Sequence, residues 1–215
     1  MRNAFHDELD GIGSTLLQMA GLVKVAMSDA TIALLQVDLN CAEKVIAADD
    51  VIDEIQHELD ARTINLMARQ QPVASDLRTL VTSLRMSADL ERMGDLAHHV
   101  AKQARMRYPN SAVPAELIPT ITSMGLVADK LIDKLSAVME HRDIVRALEI
   151  ETDDDEMDKL HRDLISILLD DNWKHGVETA IDMTLLGRYY ERFADHAVSI
   201  SRRVYFLVTG EYSTN

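Results

Sequence analysis

Apolar residues recur along the first 37 positions of the chain at alternating steps of four and three residues. This spacing places them on one side of an α-helix and is typical of helices that pack against one another in a bundle. The residues that follow this spacing are Phe5, Leu9, Ile12, Leu16, Met19, Val23, Ala26, Ala30, Ala33 and Val37. The pattern therefore predicts one long first helix.

Two further helices are predicted before residue 109. Asp38 is placed to cap a second helix that contains residues 41–70, because an aspartate side chain accepts from the free N–H groups of a first helical turn. Pro72 fits the start of a third helix that runs to about Tyr108. The connections between these helices are short, so we expect antiparallel neighbours.

The helical pattern stops at three closely spaced prolines and then restarts. Pro109, Pro114 and Pro119 interrupt the sequence YPNSAVPAELIP, which cannot continue a helix. Beyond it, MGLVADKLIDKLSAVMEHRD parallels the earlier MAGLVKVAMSDATIALLQVD, and Asp143 stands where the first half has Asp38. We predict a duplication, with a first three-helix repeat at 1–108, a linker at 109–119 and a second repeat at 120–215.

Composition favours the same architecture. Aromatic residues make up only 4% of the 215 residues, and 8 glycines and 4 prolines are too few for the many turns of an all-β protein. The fold class predicted is all-α, with two tandem three-helix bundles and six long antiparallel helices.

Charge and the N-terminal sequence limit the function. The formal charge of −14 repels nucleic acid phosphates, so we expect no binding to nucleic acid. The single cysteine, Cys41, cannot form an internal disulfide, and the N-terminus lacks the apolar core of a signal peptide. No apolar run approaches the roughly 20 residues that cross a bilayer, so we expect a cytoplasmic protein without direct membrane insertion.

One acidic motif occurs in both halves. Glu91 and Asp95 lie four residues apart in LERMGDLAHHV, and Glu191 and Asp195 repeat this spacing in YERFADHAVSI. On a helix such a pair leaves the same face, with Cβ atoms about 6 Å apart, and the two charges repel. A cation or a basic side chain would relieve the repulsion, and the local candidates are Arg92 and Arg192.

The second helix of each repeat carries a matching pair of acids. Asp49 with Asp53, and Asp154 with Asp158, again stand four residues apart. If the two faces meet, four carboxylates converge in each repeat, which suits Mg²⁺, Mn²⁺, Ca²⁺ or iron. Gly94 supports such a site, because a glycine within a helix allows another backbone or a ligand to approach the helix closely. A solvated acidic face is the alternative.

Two other functions are compatible with parts of this pattern. Glu54-x-x-His57 matches a ligand pair of carboxylate-bridged di-iron oxidoreductases, but Lys159 and Arg162 stand at the equivalent positions of the second half. Val198 likewise stands at the position equivalent to His98, so the histidines are not repeated in the second half as the acids are. The second alternative is a structural helical scaffold whose acids only keep it soluble.

Two long segments make the pattern specific. They are RQQPVASDLRTLVTSLRMSADLERMGDLAHHVAK at 69–102 and GRYYERFADHAVSISRRVYFLVTGE at 187–211. With the duplicated plan they resemble the PhoU family, the accessory regulators of high-affinity phosphate transport, over almost the whole chain. The family's Asp-Leu-Arg triplet stands at 76–78, and the second half has no such triplet.

The resemblance implies both a cofactor and a role. The eight acids named above would be the family's metal-binding residues, which hold iron or zinc-type clusters; magnesium or manganese are equally suited to the oxygen ligands. The protein would have no reaction of its own. It would be a dimeric negative regulator that links the ATP-hydrolysing subunit of a phosphate transporter to a phosphate-sensing histidine kinase.

Overall fold

A computed structural model describes residues 2–211, with side chains from Phe5 onward. The regular structure in this range is helical throughout, which confirms the predicted fold class. The long helices are α1 (Arg2–Gln36), α2 (Leu39–Gln70), α3 (Ala74–Arg107), α4 (Ile118–His141), α5 (Ile144–Leu168) and α6 (Gly176–Thr209), with one short 3₁₀ helix at Ala115–Leu117.

The helix starts follow the capping residues in the sequence. Asp38 accepts a hydrogen bond from the backbone N–H of Cys41, and Asp143 accepts from two N–H groups in the first turn of α5. Pro72 was wrongly predicted to begin α3, because the extended backbone of Val73 follows it and the helix begins at Ala74. Pro119 lies in the first turn of α4, where backbone N–H groups have no partner within the helix, so the N–H that proline lacks is not needed.

The six helices share one continuous apolar core. Helices α1, α2 and α3 contact one another, α4, α5 and α6 do the same, and the two groups meet along α3 with α6 and along α1 with α4. Most of the predicted stripe of α1 is buried, whereas Val37 lies past the end of the helix in a left-handed conformation. The repeats therefore stabilise each other through shared burial.

Among the described residues, one helical segment, Phe5–Gln36, is long and apolar enough by composition to cross a bilayer. The sequence prediction did not anticipate it. The apolar side of this helix packs against α2, α3 and α4, which accounts for its hydrophobicity within a bundle core.

The two repeats meet along an antiparallel seam formed by α3 and α6. At one end the guanidinium of Arg78 lies 5.2 Å from the centre of the Phe206 ring. In the middle, Asp89 accepts from Ser199 at 3.0 Å and from Arg203 at 2.8 Å. At the other end Arg107 binds Asp182. Polar contacts thus fix the register of the two repeats along the seam.

Burial disfavours the charged form of Asp89, but its donors outweigh this effect. Hydrogen bonds from His196, Arg203 and Ser199 hold the pKa of Asp89 below its usual range. Asp89 therefore stays ionised at the seam and orders the two helices.

Gly125 on α4 provides a test of how closely the repeats pack. A Cβ at Gly125 would lie 2.7 Å from the methyl carbon of Thr31, whose hydroxyl is 2.8 Å from that of the fully buried Tyr190. We expect Gly125→Ala to lower the free energy of unfolding by about 1–3 kcal/mol, measured by urea denaturation.

Gly21 on α1 supplies the matched control. Within residues 5–211, no atom of another helix lies within 4 Å of a Cβ built at Gly21, so Gly21→Ala should raise stability by about 0.5–1 kcal/mol through helix propensity. Equal effects of the two substitutions would show that the contact between α1 and α4 is loose.

Candidate metal centres

The first carboxylate cluster consists of Asp49 and Asp53 on α2 with Glu91 and Asp95 on α3. Burial raises the pKa of Asp53, and the charges of Asp49 and Asp95 raise it further. Burial likewise raises the pKa of Glu91, followed by the charges of Asp95 and then of Asp53 and Asp49, against the opposing charge of a nearby arginine. The structure therefore brings these four acids within electrostatic reach of one another.

Gly94 allows the two helices of this cluster to approach. A Cβ there would lie 3.1 Å from the Ile52 side chain and 3.5 Å from a carboxylate oxygen of Asp49. Asp49 is only 8% exposed. The glycine thus makes room for a buried acid at the helix–helix contact, as expected from the sequence.

Arginines neutralise the outer edge of each cluster. In the first, Arg92 binds Asp95 at 2.6 Å and lies 3.6 Å from Glu91, as the sequence interpretation suggested. In the second, the ion pair to Glu191 comes from Arg188 at 2.5 Å, not from Arg192 as suggested. Arg188 lies one turn earlier on α6 and therefore shares the face of Glu191.

The second carboxylate cluster consists of Asp154 and Asp158 on α5 with Glu191 and Asp195 on α6. Burial, and then the charges of Asp158, Asp195 and Glu191, raise the pKa of Asp154 to about 7. Burial also raises the pKa of Glu191, followed by the charge of Asp195, against the opposing charge of Arg188. This cluster contains an acid that is only partly ionised at neutral pH.

Two oxygens of the second cluster are buried without a donor. Among the described residues, neither Oδ1 of Asp154 nor Oε2 of Glu191 has a hydrogen-bond partner. A buried oxygen that loses water and gains no donor costs about 1–3 kcal/mol. A hard cation that accepts carboxylate ligands would satisfy both oxygens and offset the repulsion, so this donor set fits such an ion.

The first cluster differs because a histidine reaches it. Nδ1 of His98 hydrogen-bonds to Oδ2 of Asp49, and Nε2 of His98 is buried without a partner in the described part of the chain. The equivalent residue of the second repeat, Val198, offers no such bond. The two clusters are therefore chemically distinct.

Sequence reasoning left His98 out of the site because it is not duplicated. The sequence does contain a signal that His98 lies near the first cluster: it stands three residues after Asp95, so both residues lie on one side of α3. Symmetry between the repeats thus predicted the two acid clusters but not a neighbouring residue that only one repeat has.

The side chains as they stand do not yet surround an ion. Within residues 5–211, no three His, Cys, Asp or Glu side chains are arranged closely enough to hold a metal. Carboxylates repel one another when no cation lies between them. Binding of a metal ion would therefore require the carboxylates of a cluster to rotate toward one another.

The alternative di-iron site lacks the required burial. Glu54 and His57 are both exposed on α2, whereas the ligands of carboxylate-bridged oxidases project into the core of a bundle. The spacing of these residues thus reflects the polar face of an amphipathic helix.

The fold and the paired clusters define a class of duplicated helical proteins with one acidic site per repeat. The chain belongs to the PhoU family: the PhoU domain matches residues 16–104 and again residues 121–204. This confirms the resemblance seen in the sequence.

Relatives match over the full length. Phosphate-specific transport system accessory protein PhoU homolog 2 of Mycobacterium tuberculosis is 46% identical over 212 residues, which cover 99% of this chain and 100% of the relative. The PhoU homolog of Clostridium acetobutylicum is 32% identical and covers 98% of this chain and 96% of its own.

Solved structures share the fold. The crystal structure of PhoU from Pseudomonas aeruginosa matches with a TM-score of 0.85 and 29% identity, covering 96% of this chain and all of that one. The phosphate transport system regulatory protein PhoU from Streptococcus pneumoniae matches with a TM-score of 0.87 and 26% identity, and the match covers 98% of this chain and 100% of that one.

The raised pKa of Asp154 predicts a pH-dependent stability. A carboxyl whose pKa is raised on folding stabilises the fold when protonated, so its contribution is lost as the pH rises from about 4 to about 7. In metal-free protein, Asp154→Asn should therefore become more stabilising as the pH rises to 8, by about 1–2 kcal/mol after solvent screening.

Thermal melts with a chelator at pH 5 and pH 8 measure this difference. Glu156→Gln, which removes an exposed charge from the same helix, is the matched control and should show little pH dependence. A stability difference for Asp154→Asn that is equal at both pH values would contradict the electrostatic picture.

Proposed function

We propose that this protein is a metal-binding regulator of phosphate uptake and of phosphate-starvation signalling. The observation that carries the proposal is the pair of buried, donorless oxygens on Asp154 and Glu191 within a cluster of four acids. The same four-acid arrangement recurs in the first repeat. Membership of a family whose relatives are named accessory proteins of a phosphate-specific transport system supplies the biological setting.

The metal ions would be held by the two clusters. Asp49, Asp53, Glu91 and Asp95 would bind in the first repeat, and Asp154, Asp158, Glu191 and Asp195 in the second. Iron, zinc, magnesium or manganese in divalent or trivalent form suits these oxygen ligands, with one or several ions in each cluster. A bound ion would neutralise the acids and join the two helices that carry them.

In this proposal the protein performs no reaction itself. It acts as a cytoplasmic homodimer that couples the ATPase subunit of a phosphate ABC transporter to a phosphate-sensing histidine kinase. It represses the starvation response when phosphate is plentiful. Two clusters of like charge on one bundle provide a surface whose charge changes with metal loading, which suits a docking surface for such partners.

Manganese binding tests the metal sites directly. The double variant Asp154→Asn with Glu191→Gln replaces two carboxylates of the second cluster by neutral amides, so we expect it to bind about half as much Mn²⁺ as the unmodified protein at saturation. Electron paramagnetic resonance of free Mn²⁺ measures the bound amount.

A matched control comes from an acid pair outside the clusters. Glu54 and Glu58 are exposed and stand four residues apart on α2, so Glu54→Gln with Glu58→Gln changes the charge equally but should leave Mn²⁺ binding intact. Equal binding by the two double variants would contradict the site assignment.

The regulatory role is tested in the host of the protein. Deletion should switch on phosphate-starvation genes in phosphate-rich medium, read from a reporter, and the unmodified gene should restore repression. The Asp154→Asn, Glu191→Gln variant should restore it poorly, while the Glu54→Gln, Glu58→Gln control restores it fully. Normal repression in the deletion strain would overturn the proposed function.

A further inference from the structure

A cavity of about 670 Å³ lies on the seam between α3 and α6, at the end where Arg78 meets Phe206. Its walls include the apolar side chains of Leu77, Val81, Val198 and Phe206. Leu77 is 41% exposed and Val81 is 38% exposed. The volume falls in the range of small-molecule sites, which are mostly apolar with a few polar groups.

Four arginines line this cavity, and two of them are neutralised. Arg202 binds Glu151 at 2.5 Å, and Arg203 binds Asp89 at 2.8 Å. Within residues 5–211, Arg78 and Arg85 make no ion pair with a carboxylate. Two acids of the second carboxylate cluster, Asp154 and Asp195, also line the cavity, but neither pairs with Arg78 or Arg85. Two guanidinium groups without a carboxylate partner beside an apolar wall favour an anionic ligand at that part of the cavity.

The opposite end of the seam shows that this chemistry is specific to one end. There Glu178 stands at the position equivalent to Arg78, and Leu185 at that of Arg85. Arg107 binds Glu178 at 2.6 Å, and the neighbouring linker residue Val113 is buried. The duplication therefore did not preserve a cationic cavity at both ends.

The Asp-Leu-Arg triplet at 76–78 occurs in the first half only, and its role is not explained by the carboxylate clusters. Leu77 and Arg78 of this triplet both line the cavity. The triplet thus supplies an apolar contact and a cation to the same space.

We propose that this cavity binds an amphipathic organic anion. An aromatic or aliphatic body would pack on Leu77, Val81 and Phe206, and a phosphate, sulfonate or carboxylate group would bind Arg78 and Arg85. Guanidinium groups donate paired hydrogen bonds to such oxyanions. An inorganic ion would leave the apolar walls uncovered, and a neutral ligand would leave the arginines unpaired, so both parts of the ligand contribute. The proposal rests on Arg78, Arg85 and the apolar wall and needs no bound metal, although Asp154 and Asp195 of the second cluster also line the cavity.

The fluorescent probe 8-anilinonaphthalene-1-sulfonate combines an aromatic body with a sulfonate and tests the site in the full-length protein. We expect saturable binding at one site per chain. Arg78→Gln with Arg85→Gln should raise the dissociation constant at least about tenfold, because two charged contacts are lost. The control Arg69→Gln with Arg105→Gln, which removes two exposed arginines elsewhere, should leave it unchanged.

A second variant keeps the test independent of the arginines. Val81→Glu places an acid at an exposed wall position and should also weaken binding about tenfold through like-charge repulsion. Melting curves by circular dichroism establish that each variant is folded. Probe binding that is absent, non-saturable or equal in all folded variants would overturn the proposal.

Competition separates the two parts of the ligand. 1-Naphthyl phosphate should displace the probe, whereas 1-naphthol or inorganic phosphate alone should do so only at concentrations about ten times higher or more. Equal displacement by inorganic phosphate would identify a simple oxyanion site and contradict the amphipathic ligand. Equal displacement by 1-naphthol would show that the arginines do not contribute.

Discussion

The constraint that shapes both candidate sites is an unfavourable interaction, the repulsion among four carboxylates where two helices meet. Each repeat places two acids on its second helix and two on its third. Burial, together with the charges of the neighbouring acids, raises the pKa of Glu91 in one cluster and of Asp154 in the other. Arginines at the edge neutralise part of this charge, but they leave oxygens of Asp154 and Glu191 without a donor. Such an arrangement costs folding free energy unless a cation completes it, so stability and ligand binding are coupled.

Duplication supplied two clusters, and divergence made them different. His98 bonds to Asp49 in the first repeat, whereas Val198 offers no such bond in the second, where Oδ1 of Asp154 has no hydrogen-bond partner among the described residues. If both clusters bind metal as proposed, a nitrogen donor beside the first and an apolar side chain beside the second would give them different ligand sets. Different ligand sets would in turn let the two proposed sites respond to different concentrations of metal, as a regulator requires and a scaffold does not.

The sequence contained enough to predict the fold and the grouping of the eight acids into two clusters, while their binding of metal stays a prediction. The three-and-four spacing of apolar residues predicted the helices, and Asp38 and Asp143 marked two of their starts. The acids could be placed because their spacing of four and their repetition require only helical geometry. The start of α3 was misplaced because Pro72 precedes an extended residue, which local pattern does not reveal.

Contacts between helices could not be predicted in the same way. Arg188 replaces Arg192 as the partner of Glu191 because side-chain direction along α6 decides between two nearby arginines. The bond of His98 to Asp49 and the cavity at the α3–α6 seam depend on how two helices far apart in sequence are rotated against each other. Periodicity gives the face of a helix but not the partner residue on the next one.

Anomalous diffraction from a crystal grown with Mn²⁺ tests the central claim most directly. The account predicts a manganese peak between α5 and α6, with oxygens of Asp154 and Glu191 among its ligands, and a second peak between α2 and α3. Well-ordered carboxylates that contact only arginine and water, with no manganese peak at either cluster, would contradict it.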